Sequence, residues 1–87
     1  MVPEIRKPTE EEIEEAQSWP VWEKEVSSFQ WEYSEKETCL FLEGEVVLTT
    51  DDGSELSFGE GDYVIFPKGL ICQWDIKKTV RKHYTFG

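Results

Sequence analysis

Long hydrophobic runs are missing from this 87-residue chain, and nothing in it approaches the roughly 20 apolar residues that a membrane span needs. The opening Met1-Val2-Pro3-Glu4-Ile5-Arg6-Lys7 also lacks the apolar segment of an export signal. Cysteine is scarce, with Cys39 and Cys72 alone, which argues against a disulfide-stapled secreted fold. Together these absences predict a soluble, cytoplasmic protein. Positive charge is in short supply: 9 Lys+Arg face 19 Asp+Glu, for a formal net charge of −10. Such a field repels phosphate backbones and anionic lipid, so neither nucleic acid nor membrane is an expected partner. Histidine occurs once, as His83.

The chain is not short of aromatic residues, which make up 14% of it and include four Trp. Each buries a large apolar area, which suits a single domain near the size where one core is only just sufficient. Much of the acidic excess lies in Glu10, Glu11, Glu12, Glu14 and Glu15. A solvated helix face is the ordinary reading of that run, and an acidic docking patch is the alternative. Thr9 and Glu12 fit a capping box, so the spacing predicts a helix from Thr9 to Gln17 that lies on the rest of the fold through Ile13 and Ala16. Pro20 ends it, because the residue before a proline disfavours helical geometry.

From Val21 onward the pattern is β. Short runs rich in bulky residues follow one another: Val21 to Tyr33, Glu37 to Glu43 up to a break at Gly44, Glu45 to Thr50, Glu55 to Phe58, Tyr63 to Phe66, Ile71 to Lys77, and Thr79 to Phe86. Asp51-Asp52-Gly53 and Gly59-Glu60-Gly61-Asp62 supply turns between them. Short strands at this spacing predict a sandwich or barrel.

The turn residues carry a resemblance. Gly61, Pro67 and Gly69 fall where the second motif of the cupin superfamily has its glycines and proline, and Cys72 stands at that motif's histidine position. In the first cupin motif, Glu37 and Gly44 fit the glutamate and the glycine, while Gln30 and Glu32 stand where two histidines belong. Trp19 to Glu25, Phe29 with Trp31, Glu37-Thr38-Cys39, Gly69 to Trp74 and Val80 to Tyr84 are similar to compact cupins grouped with the ureidoglycine aminohydrolase cupin domain. The resemblance implies an all-β fold: one small cupin barrel (a double-stranded β-helix or jelly roll) with a short N-terminal helix. Residues 1–20 would form the helical extension and 21–87 the barrel, with homodimerisation as the associated expectation.

In a metal-binding cupin, histidines and the glutamate converge inside the barrel and suit Mn, Fe, Ni or Zn. Here Gln30, Glu32, Glu37 and Cys72 are the corresponding metal candidates, and the loss of the histidines makes a cofactor-free barrel the leading expectation. Strand alternation sends Cys72, Trp74 and Ile76 to one side and Glu37, Cys39 and Phe41 to one face. Cys72 is therefore expected to meet Glu37 in a ligand pocket formed by Trp31, Glu37, Cys39, Phe41, Cys72 and Trp74. Cys72, Lys82 and His83 are candidates for chemistry. The bland alternatives are cysteines acting as small buried hydrophobes, aromatics serving as core, and lysines solvated at the surface. Two functions follow. One is small-ligand binding in the barrel cavity without the usual histidine metal site. The alternative is a metal-dependent enzyme resembling ureidoglycine aminohydrolase, acting on a small nitrogenous metabolite.

Overall fold

Two long antiparallel strands carry the fold. In a computed structural model that describes residues 1–87, β4 (Glu37–Thr50) and β7 (Ile71–Phe86) pair from Glu37↔Phe86 to Thr50↔Cys72. The remaining elements are β1 (Glu4–Arg6), α1 (Glu10–Ala16), β2 (Val21–Lys24), β3 (Ser27–Glu32), β5 (Glu55–Gly59) and β6 (Tyr63–Phe66). The first half of β4 pairs with β6, and β6 with β1, while the second half of β7 pairs with β2. The second half of β4 pairs with β5, and the first half of β7 with β3. The long pair thus contributes to two sheet regions, which close around one core as a small barrel.

The break expected at Gly44 is a bulge inside one continuous strand. Register shifts occur between Phe41 and Val46. Gly44 has φ +121°, and a Cβ there would sit 2.8 Å from Val80 Cγ2 and 2.9 Å from its Cα, so only glycine fits. The bulge also switches which residues face inward. Before it Glu37, Cys39 and Phe41 do so; after it Val46, Leu48 and Thr50 are the buried ones. The break expected near Lys78 is likewise absent: β7 runs on through the exposed Lys77-Lys78-Thr79.

The core is aromatic. Phe41, Phe58 and Phe66 surround Trp74 with ring centroids 5.7–6.4 Å away, and Tyr33 stacks on Phe66 at 4.8 Å. A smaller cluster of Ala16, Leu40 and Tyr63, with Trp19 against it, fixes α1 to the outside of the barrel. The capping box forms as expected, with Glu12 N–H donating to Thr9 Oγ1 and Thr9 N–H to Glu12 Oε1. Ile13, however, is 41% exposed, so Ala16 alone makes the expected helix contact. The segment read as a helical extension also supplies β1, an additional strand beside β6. No helix is long and apolar enough to cross a membrane.

Candidate functional site

Glu37 opens β4, and Lys82 lies in the second half of β7, where Phe41 is its cross-strand partner. Both side chains turn into the barrel and are buried. Lys82 Nζ donates to Glu37 Oε2 at 2.6 Å and to Cys39 Sγ at 3.3 Å, and the Cys39 thiol donates to the same Glu37 oxygen at 2.9 Å. The ammonium also lies 4.9 Å from the ring centroid of Trp22, 5.2 Å from that of Trp74, and 5.7 Å from those of Phe41 and Phe66. A buried charge persists only when paired and hydrogen-bonded, and here the carboxylate and four ring faces perform that task. Burial pushes the Cys39 thiol well above the usual range; Lys82 opposes that shift and Glu37 adds to it. Cys39 is therefore a neutral hydrogen-bonding member of the group rather than a thiolate.

Both protein contacts of Glu37 use Oε2. Oε1 has no protein partner, yet it is not sealed in, since Trp74 Nε1 is the one fully buried side-chain polar atom without a hydrogen bond. The ion pair forms the floor of a cavity of about 570 Å³. Its walls are aromatic: Trp22 from β2, Phe29 and Trp31 from β3, Tyr33 just beyond, and Trp74 and Tyr84 from β7. Trp31 is 51% exposed and Phe86, also lining the cavity, 53%, which places both at the mouth. The charged lining consists of Glu23 and Glu37 against Lys24 and Lys82 and so sums to zero. Burial, reinforced by the charge of Glu37, raises the Tyr33 phenol far above its ordinary pKa, so it presents a neutral hydroxyl.

Of the residues expected in the pocket, Trp31, Glu37 and Trp74 line it. Cys39 lies beneath the ion pair, and Phe41 and Cys72 belong to the packed core. The expected meeting of Cys72 with Glu37 does not occur. The Cys72 thiol points to the Trp31 carbonyl at 3.7 Å, and burial pushes its pKa up to about 11. His83 faces away from the cavity, its Nδ1 3.1 Å from the Trp19 carbonyl oxygen on the helix side. Lys82, grouped with these two as a candidate for chemistry, is the one inside. Its signal lay in parity: Lys82 is an even number of residues beyond Trp74, so an unbroken β7 turns both inward.

The metal candidates do not converge. Phe29 and Trp31 line the cavity, so alternation along β3 sends Gln30 and Glu32 outward, and both are exposed. Only Glu37 among the four reaches the cavity, and its Oε2 is held by an ammonium. No three His, Cys, Asp or Glu side chains gather anywhere as a metal-binding group. The donor set does not fit a cupin metal centre, and Lys82 supplies the positive charge inside the barrel.

The EutQ-like cupin domain family matches residues 11–84, nearly the whole chain. The chain belongs to that family. A DUF861 family protein from Thermotoga maritima is 49% identical, with a TM-score of 0.95 over 99% of this chain and 100% of that one. A DUF861 family protein of unknown function from Pseudomonas syringae pv. tomato is 31% identical, with a TM-score of 0.70. That match covers 77% of this cupin and 29% of the longer chain. The EutQ protein of Clostridium difficile shares the fold, at 23% identity and a TM-score of 0.68 over 76% of this chain and 52% of its own. No curated protein matches the chain.

Proposed function

We propose that this cupin binds a small organic molecule in its barrel cavity without a histidine-based metal centre. The observation that carries the reading is the buried Glu37–Lys82 pair on the floor of an aromatic-walled cavity of about 570 Å³. That volume lies within the roughly 300–1,000 Å³ of small-molecule sites, and apolar walls with a few convergent polar groups are their usual construction. Both members of the pair line the cavity, and Glu37 Oε1 has no protein partner there. The alternative, a metal-dependent enzyme resembling ureidoglycine aminohydrolase, draws support from Glu37 alone.

The cavity is tested with toluene, a small apolar probe, by amide chemical-shift mapping on the full chain. Saturable shifts at Trp31, Tyr84 and Lys82 are the expected result. Shifts absent there, or confined to the distant β5 surface, would sink the proposal. Metal content after loading with Mn, Fe, Ni or Zn tests the other half. Stoichiometric metal retained by the native protein and lost in Glu37→Gln would restore the metal-dependent alternative.

A further inference from the structure

The geometry points to neutral planar amides as the ligand class selected by this cavity, an inference that rests on the cavity being a ligand site. Glu37 Oε1 is an acceptor without a partner, and it belongs to the same carboxylate whose Oε2 is 2.6 Å from Lys82 Nζ. The ammonium has three N–H donors, of which Glu37 Oε2 and Cys39 Sγ engage two. The floor of the cavity therefore offers an acceptor and a donor side by side. A primary amide or a lactam matches that pair in one group, with its N–H donating to Oε1 and its carbonyl accepting from Nζ.

Charge sharpens the selection. A carboxylate that reaches Lys82 is placed beside Glu37, and an ammonium that reaches Glu37 is placed beside Lys82. Attraction to one member of the pair is then offset by repulsion from the other, while the ligand's own charge has still lost its water. Glu23 and Lys24, the other charged residues of the lining, cancel in the same way. A zwitterionic amino acid meets both charges but surrenders two hydrated groups to do so. Trp22 and Phe29, each packed against Trp74 with centroids 6.2 and 5.9 Å away, join it in providing faces and edges for a flat body.

Benzamide, benzoate and benzamidinium have nearly the same planar shape and differ in charge, so they test the inference on the native full-length chain. Toluene serves as the apolar control, and dissociation constants are read from ligand titrations followed by NMR. Benzamide is expected to bind about tenfold tighter than either charged analogue, the equivalent of one net hydrogen bond. Lys82→Met is expected to turn the preference to benzamidinium, and Glu37→Gln to benzoate. The native ranking decides the matter even where a variant fails to fold. Tightest binding of benzoate, benzamidinium or zwitterionic phenylglycine overturns the inference. If toluene binds and benzamide gains nothing over it, the amide class is overturned and the cavity reading survives. If none of the probes binds, both fall.

Discussion

Replacing Lys82 with methionine removes the ammonium and keeps an unbranched side chain, so the electrostatic role of the residue can be separated from its packing. At 2.6 Å from Glu37 Oε2, the pair gains roughly 6 kcal/mol of Coulomb energy at an effective dielectric near 20. Desolvation of two ions costs several kcal/mol each and offsets most of that gain, with the contacts to Trp22 and Trp74 returning about 0.5–2 kcal/mol apiece. The native pair is thus close to balance, but the single variant is not. It leaves Glu37 buried among aromatic rings with no cation, which costs about 3–5 kcal/mol, a large part of the ~5–15 kcal/mol stability of a typical domain. The double variant Glu37→Leu/Lys82→Met removes both charges and is expected within about 1 kcal/mol of native. Urea unfolding followed by tryptophan emission at pH 7 measures all four corners of the cycle. A single-variant loss under about 1 kcal/mol, or a double variant that simply adds the two single losses, would refute the account of the pair.

Three other outcomes are expected. Gly44→Ala forces a side chain into a φ of +121° and against Val80, so it should lose about 2–4 kcal/mol of unfolding free energy, whereas Gly53→Ala, with φ +87° but open space around it, should lose less; equal losses would deny the close contact its role. Both thiols have folded-state pKa values above the ordinary 9.0, with Cys72 at about 11. The unfolded chain therefore ionises first, and stability should fall as the pH rises from about 9 through 11. Thiol labelling at pH 8 should be slow in the native protein and reach both cysteines in urea, and rapid native labelling would contradict the burial. Hydrogen bonds from Arg6, aided by the Thr9 backbone, hold the Glu12 carboxyl down at about 2 from 4.5. Its contribution is complete above pH 4.5 and is lost as the pH falls toward 2, so a carboxyl NMR titration of Glu12 with a midpoint near 4.5 would show that the pair does not form.

Turn chemistry and period-two alternation are local properties, and this chain displays them openly. Gly61, Pro67 and Gly69 mark their turns, Thr9 and Glu12 cap their helix, and the inward sides of Glu37–Cys39–Phe41 and Cys72–Trp74–Ile76 follow from alternation alone. What alternation does not specify is register, and register decides which inward residues meet. Gly44 reads as a strand end, yet it is a bulge accommodated by the backbone of Val80, a residue that approaches it only after β4 and β7 pair. The same pairing brings Lys82, rather than Cys72, to Glu37. Gln30 and Glu32 occupy the histidine positions of the motif, but the pairing of β3 with β7 gives Phe29 and Trp31 the inner face and leaves those two in solvent.

The amino-acid sequence by itself determined an acidic, aromatic-rich, all-β chain with cupin turns and a capped helix, because turns, caps and alternation depend on neighbours a few residues apart. Only the tertiary structure decided that a lysine far along the chain neutralises Glu37 inside the barrel. Burying a charge requires an opposite charge within a few ångströms, and which residue supplies it depends on a strand pairing that joins side chains 45 residues apart.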